Sequence, residues 1–142
     1  MPSSTYDVVE VVAMQLIGSD ASVLPVSTEF SFRTTDPYTV RAVFTGPHTM
    51  TTWLIGRELL SLGMHATADA PAGTGDVQVW RDEDPDYALI SLSGVEGSAL
   101  IAAPAEPIER FLAGTEALVP LGSESDRMEG EITALIAALL TA

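Results

Sequence analysis

A chain of 142 residues is long enough to bury roughly 70% of the surface its unfolded form exposes, and 46% apolar content places it among packed globules and outside the disordered class. Twenty acidic residues against six arginines (33, 41, 57, 81, 110 and 127), with no lysine, leave a net charge of −14. A surface this acidic repels phosphate backbones and anionic membranes alike, and the arginines stand singly where nucleic-acid affinity needs them clustered.

In chain order, the first residues, Met-Pro-Ser-Ser-Thr-Tyr-Asp, lack the basic stretch of a secretory signal. No apolar run reaches the ~20 residues that span a bilayer, so no direct membrane insertion is expected. Without cysteine there is neither a disulfide framework nor a thiolate metal site, and a cytoplasmic location is the default expectation. Residues 6–17 read as a strand with Val8, Val12, Met14 and Leu16 on one face and Val9, Val11 and Ala13 on the other. A strand apolar on both faces is covered on both, by helices or by another subunit, which makes Val9 and Val11 candidate contacts. Gly18-Ser19-Asp20 turns the chain. Leu24-Pro25 opens a second strand that alternates Thr28, Phe30 and Phe32 with Glu29, Ser31 and Arg33.

The stretch 36–63 is the organising unit. Over 39–45, Val40, Ala42 and Phe44 oppose Thr39, Arg41, Val43 and Thr45, the period of a strand with one more buried face. Gly46-Pro47 break the pattern, and 49–55 resumes it with Met50, Thr52 and Leu54 against Thr51, Trp53 and Ile55. Then the period changes. Leu59, Leu60 and Leu62 follow Gly56-Arg57-Glu58 as a short helix, and Gly63 stands where a left-handed residue would stop it. Residues 69–76 are a loop dense in turn formers. Strands follow at Val77–Arg81 and 87–93, joined by the acidic turn 82–86, and a last strand at 98–102 follows a turn at 94–97.

The end of the chain is helical. Pro107 suits a first helical position, with Ile108, Phe111, Leu112 and Thr115 on one face, and Val119-Pro120-Leu121-Gly122 ends the segment. Ser123 with Asp126 resembles a capping box opening a final helix, Glu124 and Asp126 suit its dipole, and Ile132, Leu135, Ile136, Leu139 and Leu140 form a stripe expected to pack into the core in preference to forming an exposed groove-binding helix. About seven strands and three helices in the order ββββα–βββαα make an α+β domain over 1–142 with a mostly antiparallel sheet.

The catalytic inventory is thin. Without lysine there is no P-loop lysine, Schiff base or S-x-x-K nucleophile, and no H-E-x-x-H or G-x-S-x-G occurs. Gly73-Thr74-Gly75-Asp76 precedes a strand and reads as a structural loop. His48 and His65 read as loop residues. Counted from Asp82, a calcium loop would need Gly at Tyr87 and Glu at Ser93, so the acidic run reads as a solvated turn. Neither a catalytic site, a metal site nor a cofactor is expected. Trp53 and Trp80 read as core or subunit contacts in preference to a stacking platform for single-stranded nucleic acid, since Trp80 is followed by Arg81 and then by four acidic residues within five positions.

A family pattern runs through these segments. Asp36-Pro37-Tyr38-Thr-Val40-Arg-Ala42-Val-Phe44 resembles the D-P-Y-x-V-x-A-x-F signature of the SsgA-like proteins of sporulating actinobacteria. Trp53-Leu-Ile-Gly-Arg57-Glu-Leu59-Leu60-Ser-Leu-Gly63 is similar to that family's W-x-x-x-R-x-L-L-x-x-G, and Gly73-Thr-Gly75-Asp76-Val77-Gln-Val79-Trp80 to its G-x-G-D-V-x-V-W. Glu96-Gly97-Ser-Ala99-Leu100, Ala103-Pro104-Ala105, Phe111-Leu112 and Val119-Pro120-x-Gly122 fall in register, while Gly94-Val95 stands where many relatives carry Ser-Pro. The resemblance implies a non-enzymatic factor of sporulation-specific septation, cytoplasmic and recruited to the septum. The SsgB type in this family helps place the division GTPase FtsZ. It also implies a whirly-like fold, a curved antiparallel sheet with helices at one end, assembled as a homo-oligomer with a trimer favoured over a dimer. Partners would be FtsZ, its positioning factors or SsgA-like paralogues. The alternative that the fold alone suggests is single-stranded nucleic-acid binding; acidic charge argues against it.

Overall fold

The structure, a computed structural model, describes residues 6–141, with backbone alone for 125–128. Residues 1–5 and the Asp126 half of the expected capping box lie outside the described residues. The elements are β1 (Val8–Ile17), β2 (Val23–Arg33), β3 (Asp36–Thr45), β4 (Met50–Gly56), α1 (Arg57–Gly63), β5 (Val77–Arg81), β6 (Tyr87–Gly94), β7 (Gly97–Pro104), α2 (Ala105–Leu118) and α3 (Glu124–Leu140). This is the α+β order read from the sequence. The strands form a seven-stranded antiparallel sheet in the order β4-β3-β2-β1-β7-β6-β5, curled into a half-barrel.

Hairpin connections build each half, and the halves meet where β1 pairs with β7 over Gln15, Leu16 and Ile17. Further along β1, α2 lies across the sheet, and Arg110 bridges to Glu10 at 2.9 Å. The curl follows from α1, which leaves edge strand β4 and lands on the other edge strand, β5. The segment after α1 joins the same edge. Arg81 donates its backbone N–H to Ala66 O at 2.9 Å and Nη1 to Met64 O at 3.2 Å. Inside the curl lie Val12 and Met14 of β1, Phe30 and Phe32 of β2, Val40, Ala42 and Phe44 of β3, Ile90 of β6 and Ile101 of β7. From α2, Ile108, Phe111 and Leu112 close one end of this core, with Phe111 tilted against Phe30 at 5.5 Å between ring centroids.

Four expectations change. Gly63 does not stop α1 in a left-handed conformation: the described residues place positive φ at Gly73, Gly97, Gly122 and Ala21, and Met64 continues the right-handed turn. Space is what Gly63 supplies, because a Cβ there would overlap Cβ and Cγ1 of Val79 and sit 3.0 Å from its carbonyl oxygen. Pro107 is not the first helical residue, since α2 begins at Ala105 with Pro104 as its N-cap. Ser123 forms no cap; its hydroxyl donates instead to Pro120 O at 2.6 Å. Finally, the stripe on α3 is not core, because residues 129–141 are exposed throughout.

The Gly63–Val79 contact ties the two sheet edges, so adding one methyl tests it. Gly63→Ala should destabilise the full chain by about 1–3 kcal/mol, as overpacking does. In a double-mutant cycle by denaturant unfolding, Val79→Ala should recover part of that loss; purely additive costs would show that the contact is loose.

Candidate protein-docking surfaces

The motif residues divide into those that hold the fold and those that face water. Arg57 begins α1 and is fully buried. A buried guanidinium is tolerated where its donors meet acceptors. Nη1 donates to Val119 O at 2.6 Å and, at 3.3 Å, to Thr115 O, which also accepts the Val119 N–H at the end of α2, and Nη2 donates to Glu124 Oε2 at 2.8 Å. The Phe32 ring lies 5.1 Å from the guanidinium carbon, whereas Nε has no partner among the described residues. Glu124 also accepts the Gly122 N–H at 2.7 Å. Burial pushes the Glu124 carboxyl up, but the Arg57 hydrogen bond, the Glu124 and Gly122 N–H groups and the Arg57 charge together outweigh it and hold the group below its ordinary value. Arg57 was legible as a motif residue. Its partner was not, since Glu124 reads equally well as a helix-dipole acid.

Pro37, Phe44 and Leu60 are buried, and Gly63 packs on Val79. Gly73 takes φ 94° with its backbone against Val77 O, and Asp76 accepts the Ser93 N–H through its carbonyl at 2.8 Å. Gly75 stands in open space, and Asp36 and Tyr38 are exposed at the start of β3. His48 and His65 are exposed, and among the described residues no group of His, Asp and Glu could hold a metal ion.

The tryptophans lie on opposite faces. Register puts Trp53 beside Ala42 on the concave side and Trp80 beside Leu89 on the convex side, so they do not combine into one stacking surface. Trp53 is half-buried in the wall of a cleft at the end of the half-barrel remote from α2. This cleft, about 750 Å³, lies between the β3–β4 and β6–β7 hairpins over Leu16, Leu24, Val26, Phe44 and Ile101, with Glu96 the one charged residue in its lining.

The convex face carries the second surface. One row across four strands reads Val9, Ser31, Arg41, Leu54, and the next Val11, Glu29, Val43, Thr52. It is only partly covered: Val11 is 61% and Leu54 67% exposed, whereas Ser31 and Val43 between them are buried. Val9 and Val11 on the outer face of β1 are exposed, and no helix among the described residues lies on them. At its corner Arg33 donates to the Tyr6 hydroxyl at 3.0 Å, and the Arg33 and Arg41 guanidinium carbons lie 4.6 and 5.8 Å from the Tyr6 ring centroid. Asp36 lines the same shallow groove, yet neither arginine forms an ion pair among the described residues.

Removing Arg57 strands Glu124 and the end of α2, so Arg57→Leu should cost about 3–5 kcal/mol in thermal or denaturant unfolding, with part recovered in Arg57→Leu/Glu124→Leu. A carboxyl held below its unfolded value stabilises fully above that value and loses the contribution as pH falls through the folded one. Melting temperature should therefore drop on acidification below the ordinary carboxylate value of 4.5, and Glu124→Gln should flatten part of that dependence. An unchanged acid profile in Glu124→Gln would remove the carboxylate from this role.

Comparison with known proteins agrees with the architecture. Residues 26–124 match the family described as Streptomyces sporulation and cell division protein, SsgA. The sporulation-specific cell division protein SsgB of Streptomyces coelicolor is 43% identical over 114 residues, covering 78% of this chain and 80% of that protein. SsgB of Thermobifida fusca is 34% identical over 132 residues, covering 91% and 93%. A solved SsgB structure, described under mutations that correlate to longitudinal cell division during sporulation of Streptomyces coelicolor, superposes with TM-score 0.76 at 39% identity, covering 88% of this chain and 98% of that one. A crystal structure of an SsgA-like sporulation-specific cell division protein from Thermobifida fusca gives TM-score 0.77 at 34% identity, covering 96% and 98%. By sequence and by fold, this chain belongs to the SsgA family.

Proposed function

We propose that this protein is a non-catalytic adaptor of sporulation septation that works by protein–protein contact, helping to position the FtsZ division machinery. The observation that carries the reading is the convex sheet face. Tyr6, Arg33 and Arg41 are of the residue types enriched in energetic hot spots and stand among exposed valines and leucine, and neither arginine forms an ion pair among the described residues. Relatives named as sporulation-specific cell division proteins support the setting. Partners are FtsZ, its positioning factors or SsgA-like paralogues, met in the cytoplasm and at the septum; no helix among the described residues is long and apolar enough to cross a membrane. A homo-oligomer, a trimer in preference to a dimer, would present several such faces at once, and avidity would then strengthen weak single contacts with a polymer. Single-stranded nucleic-acid binding has less behind it, given Trp53 and Trp80 on opposite faces and a net charge of −14.

Co-sedimentation with FtsZ polymers tests this. The wild-type chain should pellet with FtsZ, and Val11→Asp or Arg41→Glu should weaken pelleting by about tenfold, ~1.4 kcal/mol, while leaving the melting temperature within a few degrees because both side chains lie outside the core. A wild-type chain that stays in the supernatant, and fails to retain division proteins from sporulating cells, would refute the proposal.

A further inference from the structure

The two edges of the sheet are finished differently. A strand at a sheet edge carries a row of backbone N–H and C=O groups without ladder partners. On β5 the chain itself fills that row. Ala72 and Val79 each donate an N–H to the other's carbonyl, at 2.9 and 3.0 Å, and Arg81 N–H reaches Ala66 O at 2.9 Å. β4, at the other end of the strand order, has no such cover. Gly46 N–H donates to Thr49 O at 2.9 Å, which makes these two a hydrogen-bonded pair. Such pairs alternate along an antiparallel ladder, so Thr51, Trp53 and Ile55 turn their backbone groups to β3, and Met50, Thr52 and Leu54 turn theirs outward. Among the described residues no hydrogen bond reaches those outward groups. Edge strands are commonly blunted by charge, proline or a bulge. Residues 50–56 contain no charged residue and no proline, and their register with β3 is unbroken.

Charge states what fits there. Arg57, Arg81 and Arg110 each meet a glutamate, whereas Arg33 and Arg41, held against Tyr6, form no ion pair among the described residues. Both line a shallow groove of about 140 Å³ that also takes in Asp36 and runs out to Leu54 on β4. Arg41 pairs with Leu54 across the ladder. A residue opposite Leu54 on a further strand would stand two strand spacings, about 10 Å, from Arg41, a span that arginine and glutamate side chains close between them. Its alternate neighbours would fall on the concave side, opposite Thr51 and Trp53 in the cleft wall, where an apolar side chain covers the indole. The net charge of −14 acts against a segment rich in acid, so the carboxylates are few and placed at this groove.

We infer that an extended segment of a partner protein adds to β4 as a further antiparallel strand, with an acidic residue opposite Leu54 reaching Arg41 and Arg33 and apolar residues at alternate positions against Trp53. Antiparallel addition continues the ladder of the whole sheet and is the more stable pairing per residue. The inference deepens the proposed function and rests on it only in taking this corner of the convex face as a partner's seat. A chain that binds such a strand yet leaves FtsZ unpelleted refutes the proposed function and keeps the inference; one that pellets FtsZ and ignores the strand does the reverse.

Fluorescence anisotropy tests it on the full chain with a fluorescein-labelled octapeptide of alternating valine and threonine in which glutamate replaces one central threonine. The peptide should bind saturably. Glutamine in place of that glutamate should weaken binding about tenfold, and Arg41→Gln should erase the difference between the two peptides. In antiparallel addition the threonine and glutamate N–H groups face β4 and the valine N–H groups face away. N-methylation of the first set should therefore abolish binding, and N-methylation of the second should spare it. Thr52→Pro removes an outward donor and no ladder bond, so it should abolish binding of both peptides while the melting temperature stays within a few degrees. Absence of saturable binding, an equal effect of the two N-methylations, or a glutamate preference that survives in Arg41→Gln would each overturn the inference. The peptide arms use the wild-type chain, so they decide the matter even if Thr52→Pro fails to fold.

Discussion

One guanidinium holds three helices to the sheet. Taking Arg57 out of water costs several kcal/mol, and that cost is offset because its forked donors meet two carbonyls and a carboxylate. Val119 O and Thr115 O are carbonyls at the end of α2, where the helix dipole is negative, and Glu124 is a carboxylate at the start of α3, where it is positive. Since Arg57 is also the first residue of α1, a single cation fixes where α1 leaves β4, where α2 stops and from where α3 departs. A lysine at this position would lack the fork.

With one end of the half-barrel closed by α2 and this node, the other end stays open, and the apolar surface left over is sorted by position. The concave mouth and distal α3 are uncharged. The convex face mixes valine and leucine with two arginines that form no ion pair among the described residues, and acidic residues occupy much of the remaining surface, as in the turn 82–86. Net charge of one sign keeps such a chain soluble and discourages contact except where charge is absent or reversed.

Much of this was legible in the sequence, for a physical reason. Period-2 alternation in β2 and β3 set Thr28, Phe30 and Phe32, and Val40, Ala42 and Phe44, on one face of each strand, and all six are buried, although Ser31 and Val43 of the opposite faces are buried too. The outer apolar face of β1 was visible as Val9 and Val11. What failed was whatever depends on a contact distant in sequence. Gly63 matches a helix stop by local rules, yet it is demanded by Val79, sixteen positions later and on the opposite sheet edge. The α3 stripe has the pattern of a core helix, and periodicity states only that a face wants cover, not whether the cover lies in the same chain. Glu124 could not be singled out among twenty acids without knowing that Arg57 is buried. For the surfaces, the missed signal was negative: the uncharged stretches 42–56, 97–105 and 132–142 stand out once charge is mapped along the chain.

The dependence on Arg57 is tested most directly by amide hydrogen exchange, comparing the wild-type chain with Glu124→Gln under identical buffer. The account predicts that protection falls in the last turn of α2 and the first turn of α3, while β1, β2 and β3 exchange as before. Unchanged exchange around residues 115–124, or a uniform loss across the whole sheet, would contradict it.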